Sequence, residues 1–183
     1  SAARSPDVDE VVLFAHSMGA WLAVEALREL ALRDGRVPAK ITNVVLASPD
    51  LDIDVFERQL GDFGPKRPRI VIFTARNDHA LGLSRLIAGQ VTRVGAVDVT
   101  NPAYTERLRQ ADGVVVVDLT ALEGGDSLNH SAFATQPDMV RLIGARLAAG
   151  QRMNDPIQPV QQVGGAIGTV VAAPITILAG GRN

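Results

Sequence analysis

Apolar residues in this chain follow two alternating rhythms. The run from Glu10 to Ala15 is short, almost wholly apolar and rich in β-formers, the pattern of a strand buried on both faces of a parallel sheet. From Gly19 to about Arg33 the spacing changes. Leu22, Ala23, Ala26, Leu27, Leu30 and Ala31 recur three and four residues apart, which predicts a helix with one apolar face, and Gly35 ends it. The alternation then repeats. Ile41 to Ala47 reads as a second buried strand closing at Ser48-Pro49-Asp50, and Asp54 to Leu60 as a short helix. A Gly/Pro/basic loop from Gly61 to Pro68 leads to a third strand over Arg69 to Ala75. Leu81 to Ala88 reads as a helix and Gly113 to Leu119 as a fourth strand. Pro137 and Gly150 bracket a last amphipathic helix, with Met139, Val140, Leu142, Ile143 and Leu147 facing inward.

Continuous apolar strands separated by helices predict an α/β fold: a mostly parallel sheet with helices on both faces. Residues 1–150 read as the folded domain. Residues 151–183 read as a Gly-rich apolar tail, uncharged from Pro156 to Gly181. The tail borders on the length of a membrane span, but its glycines and Pro174 favour a surface-packed or flexible extension, so membrane contact rests on the tail alone.

Composition narrows the picture. With 183 residues, 46% of them hydrophobic, the chain can bury one sizeable core. A formal charge of −2, with both signs interspersed, provides no field that would gather nucleic acid. The absence of cysteine excludes disulfides, thiolate metal sites and a cysteine nucleophile. No histidine pair at ligand spacing suggests zinc, and the late Gly164, Gly165 and Gly168 lack the acidic residue that a dinucleotide loop needs downstream. Neither metal nor cofactor is expected.

The residues with chemical character fall just after the carboxyl ends of the strands, where open α/β sheets form their crevice. Ala15-His16-Ser17-Met18-Gly19 lies between the first strand and first helix and fits a nucleophile elbow, with alanine at the first small position. Such a turn exposes the Ser17 hydroxyl at a helix amino terminus and offers the Met18 N–H as an oxyanion donor. Ser17 could instead simply cap its helix. What favours a nucleophile is the order of the later candidates, an acid and then a histidine. Asp78, after the third strand, is the candidate acid; its alternative role is capping the helix at Leu81, and Asp50 is its rival. Asp118 lies within a strand and is less suitable. His130, between the last strand and the last helix, is the candidate base. His16, beside the nucleophile on the turn, is expected to point elsewhere, and His79 adjoins the candidate acid; each reads as a supporting or exposed residue. Met18, Trp21 and Phe133 are candidates to line an acyl pocket.

Taken together, the stretches Ala15 to Gly19, Asn43 to Asp52, Arg76 to Leu81, Leu83 to Gly89 and Leu128 to Phe133 resemble the α/β-hydrolase superfamily. Within it they are similar to a bacterial branch of esterase/lipase-like proteins, mostly of unknown function. The resemblance covers roughly Asp9 to Gly150. It implies a serine esterase with a Ser17, Asp78 and His130 triad acting on a small-molecule ester. It also implies that the first strand here is a central one in the full fold, so an upstream segment is expected to complete the sheet and supply a second oxyanion N–H. The short stretch between Asp50 and Arg69 leaves no room for a large cap, which favours a shallow site and short acyl chains. The competing readings are a non-catalytic interaction module, and a thioesterase, lactonase or amidase using the same triad.

Overall fold

A computed structural model of the chain describes residues 2–121, 126–131, 133–134 and 176–179. Strand β1 (Val11–His16) leads to helix α1 (Met18–Asp34), followed by β2 (Ile41–Ala47), α2 (Ile53–Asp62), β3 (Arg69–Thr74), α3 (His79–Ile87), α4 (Pro102–Gln110), β4 (Val114–Asp118) and β5 (Thr176–Ala179). Strands β1 to β4 lie side by side in chain order and pair in parallel. This is the α/β sheet expected from the apolar runs, each strand being returned to its parallel neighbour by a connection that carries a helix.

Strand alternation divides the core in two. Val44, Leu46, Ile70, Ile72, Val114 and Val116 point to one face, where α1 and α2 cover them. Val45, Ala47, Val71, Phe73, Val115 and Val117 point to the other, where Phe133 packs. Helix α1 turns Ala20, Val24, Leu27 and Ala31 inward at four-, three- and four-residue spacing, and Gly35 ends it in the left-handed conformation with φ 73°. Full burial of a side chain such as Val24 or Leu27 contributes about 1.5–3 kcal/mol. The predicted helix over residues 137–150 lies outside the described residues.

The two edges of the sheet differ from each other. Thr176–Ala179, within the segment read from sequence as a surface-packed or flexible extension, forms β5 and pairs antiparallel with β4, Val116 opposite Leu178 and Val117 opposite Ile177. The reason is physical: a β-prone Thr-Ile-Leu-Ala stretch satisfies backbone groups that β4 would otherwise present unpaired. The rest of the tail lies outside the described residues, among which no helix is long and apolar enough to cross a membrane. At the opposite edge β1 directs Val11, Leu13 and Ala15 toward the α1 side of the core, while Val12 and Phe14 remain 44% and 51% exposed.

Helix α4 was not anticipated. Asn101 accepts from the Ala103 N–H at 3.0 Å and Pro102 takes the first helical position, a recognisable start signal. Its sequence is mostly polar, so hydrophobic periodicity is weak there. Arg107 instead ties it to α2 through Asp54 at 2.5 Å and Glu57 at 2.6 Å.

Candidate active site

Ser17 occupies the single residue between β1 and α1, with φ 54° and ψ −128°. A non-glycine residue there is strained by about 1–3 kcal/mol and must be held by its surroundings. Its own backbone does this. The Ser17 N–H donates to Ala47 O at 3.0 Å in β2, and its carbonyl accepts from Ala20 N at 3.0 Å and Asp50 N at 3.2 Å. The side chain makes no capping hydrogen bond to the helix. The hydroxyl therefore stands half-buried at the positive end of α1, unused by the helix it precedes. Met18, the first helical residue, places its N–H among those that lack an intrahelical partner, while its side chain is exposed.

Asp78 precedes α3, and its two oxygens have different tasks. Oδ1 accepts from Leu81 N at 3.0 Å and caps the helix, whereas Oδ2 lies 2.7 Å from His130 Nδ1. Capping and histidine binding, alternatives in the sequence, thus coexist. The Asp78 side chain is entirely buried and that of His130 is 18% exposed, so the pair is well shielded from water. A carboxylate accepts, so the neutral imidazole donates from Nδ1 and keeps Nε2 free of a proton, the form a base requires. A second link joins the two loops, where His79 N donates to Leu128 O at 2.9 Å.

Asp50, the rival acid, is engaged elsewhere: its carboxylate accepts from Ser84 Oγ at 2.8 and 2.9 Å and pairs with Arg93 Nε at 3.1 Å. Asp118 accepts from Thr120 N at 2.9 Å at the end of β4. Phe133 packs on Phe14, with ring centroids 5.6 Å apart, and on His16, at 5.1 Å. Trp21 stands 46% exposed on the first turn of α1.

His16 requires a correction. The sequence reads it as a supporting or exposed residue on the turn, pointing elsewhere; it is the place and the direction that differ. β1 in fact runs one residue further than its apolar run, through His16, so strand alternation sends the imidazole to the same side as Phe14. There its ring lies 4.8 Å from the His130 ring, and its Nε2 is 3.3 Å from the His130 carbonyl oxygen.

The model of a family described as alpha/beta hydrolase of unknown function (DUF900) matches residues 1–146. The chain belongs to this family. No curated protein and no solved structure matches it.

Three features of this α/β hydrolase escaped sequence reasoning. Asp126 is the first. One of its oxygens accepts from Leu128 N at 2.9 Å and His130 N at 3.1 Å, the other from Ser131 N at 2.7 Å. The His130 N–H bond is the main cause that holds this carboxyl below its ordinary value, with the Ser131 and Leu128 amides adding to it and partial desolvation opposing. An acid four residues before the base is the signal that could have found it. The second is Thr120, whose hydroxyl accepts from Arg76 N at 3.0 Å and whose carbonyl accepts from Asn77 Nδ2 at 3.3 Å, tying down the loop that carries Asp78. The third is Gly95, which donates to Pro49 O at 3.0 Å and accepts from Ala75 N at 2.9 Å. A Cβ at Gly95 would stand 2.6 Å from Ser48 C and 2.7 Å from Pro49 N, so only glycine lets this crossing join the ends of β2 and β3.

Proposed function

We propose that this α/β hydrolase cleaves carboxylic esters through a covalent acyl-enzyme, with Ser17 as nucleophile, His130 as base and Asp78 as the orienting acid. The observation that carries this reading is the 2.7 Å bond from His130 Nδ1 to the buried Asp78 carboxylate; it is supported by a serine whose hydroxyl its helix does not use, one residue after the His16 ring that packs on His130. In the first half-reaction Ser17 Oγ attacks the ester carbonyl and its proton passes to His130 Nε2. The imidazolium is stabilised by Asp78, and the oxyanion by donors that include the Met18 N–H. Collapse expels the alcohol, which takes the proton back from His130. Water, deprotonated by the same nitrogen, then attacks the acyl-serine and releases the acid.

A small-molecule ester with a short acyl group suits the site, since fewer than twenty residues separate Asp50 from β3 and ten of them form α2. The test is labelling with a fluorophosphonate probe, paired with hydrolysis of nitrophenyl acetate and nitrophenyl palmitate. Labelling of the native chain, lost in Ser17→Ala and His130→Ala, with acetate the better substrate, is the expected result. A folded chain that takes no label would instead favour a non-catalytic interaction module. Labelling with turnover of thioesters, lactones or amides but not esters would retain the triad and reject the substrate.

A further inference from the structure

We propose that His16 is a positioning residue for the base: the strand that delivers the nucleophile also holds the main chain of His130, so that nucleophile and base share one reference. The inference rests on the triad reading above. A carbonyl oxygen can only accept, so the 3.3 Å approach of His16 Nε2 to His130 O places a hydrogen on that nitrogen. The bond goes to the His130 backbone and not to its ring, so the imidazole keeps both nitrogens for other partners. Nδ1 already donates to Asp78.

Packing fixes the His16 ring from two sides. His130 lies against it at 4.8 Å between centroids with planes tilted by 48°, and Phe133 at 5.1 Å with the same tilt. Phe133 rests in turn on the second-face core and on Phe14, two residues before His16 on the same strand. One residue after His16 comes Ser17, pinned to β2 by its own N–H. The base loop therefore touches β1 one residue from the nucleophile, and a displacement of that loop would have to break this contact. Asp126 secures the loop internally; His16 relates it to the elbow. A misplacement on the order of 1 Å between reacting groups can lower turnover about 100-fold, which sets the scale of the effect.

Two substitutions separate the components of this contact. His16→Gln keeps an N–H at nearly the same reach but loses the ring, while His16→Phe keeps a ring and loses the donor. Their kcat and KM on nitrophenyl acetate are measured in the full chain, together with the Nδ1 proton resonance of His130 by NMR. Expected in His16→Phe is a fall in kcat of about 10- to 100-fold at nearly constant KM, with a shifted or broadened Nδ1 resonance. His16→Gln is expected to recover most of kcat and the native resonance. Unchanged kcat and resonance in His16→Phe, or equal losses in both variants, would overturn the proposal by making His16 dispensable or a mere space filler. Absence of fluorophosphonate labelling in the native chain would instead sink the triad reading. The resonance, which needs no turnover, would still decide whether His16 positions His130.

Discussion

Ser17, Asp52 and Asp78 hold the same place in three strand-to-helix units, the residue just before the first helical turn, yet they use their side chains in three ways. Asp52, with φ −60° and ψ 133°, caps α2 with one carboxylate oxygen, which accepts from Asp54 N at 2.7 Å and Val55 N at 3.0 Å. Asp78, with φ −76° and ψ 101°, divides itself between α3 and His130. Ser17, with φ 54° and ψ −128°, gives α1 nothing from its side chain. On the proposed mechanism the series runs from structure to chemistry. A helix amino terminus can be satisfied by the residue before it, or that residue can be turned away so that its hydroxyl remains available for reaction. The second choice sacrifices a cap normally worth about 1 kcal/mol and adds backbone strain.

The largest effect should come from the residue that performs both tasks. In Asp78→Asn the amide oxygen can still accept from Leu81 N, but the NH2 group then faces His130 Nδ1. The imidazole must accept there and carry its proton on Nε2, the nitrogen that receives one from Ser17 in the proposed mechanism. We expect kcat to fall about 10⁴-fold, with folding little changed. Asp78→Ala should lose a similar factor in rate and, in addition, about 0.5–2 kcal/mol through the lost cap. The comparison breaks if Asp78→Asn retains more than a tenth of native kcat, or if denaturant unfolding cannot tell the two variants apart.

The two ends of the series predict opposite signs. Ser17→Gly removes the positive-φ penalty and should stabilise the chain by about 1 kcal/mol after the entropic disadvantage of glycine, while abolishing labelling. Asp52→Ala should destabilise by about 1 kcal/mol, some 2–4 °C in Tm for a chain of this size, and leave labelling intact. Thermal melts of the two variants beside the native chain are the check. A Ser17→Gly variant that melts lower than native would mean that the elbow conformation stores no strain.

How far the sequence revealed this arrangement depends on which physical signal each part carries. The four parallel strands were legible because each holds at least four consecutive apolar residues, and α1 because apolar residues recur at helical spacing, although the face inferred took in the exposed Leu22 and Ala26 and left out Ala20 and Val24. Helix α4 was not, since polar contacts of Arg107 hold it in place and periodicity sees only burial. In the site, Ser17 and the Asp78–His130 pair could be ranked by order along the chain. His16 could not be oriented, because the outcome depended on whether β1 ended one residue earlier or later. Gly95 and Thr120 act through main-chain crossings between distant segments, and a single sequence carries no local mark of those. The strand within the tail was not legible for a related reason: Thr176–Ala179 owes it to the open edge of β4.

The smallest predicted effect concerns a carboxylate that does for the base loop what Asp52 does for α2. Asp126 gathers the amides of Leu128, His130 and Ser131, and these bonds lower its pKa below the ordinary 3.8, with the His130 amide contributing most. A carboxyl lowered on folding supports the loop at every pH above its unfolded value and loses that support as pH falls through the lower, folded one. The His130 and Ser131 amide resonances should therefore titrate with a midpoint below 3.8, at unchanged global fold. Because Asp126 is exposed, solvent screening keeps its share of global stability small, and Asp126→Asn should barely change Tm near neutral pH. A midpoint at or above 3.8 would show that the three amides do not prefer the ionised form, and the parallel with Asp52 would fail.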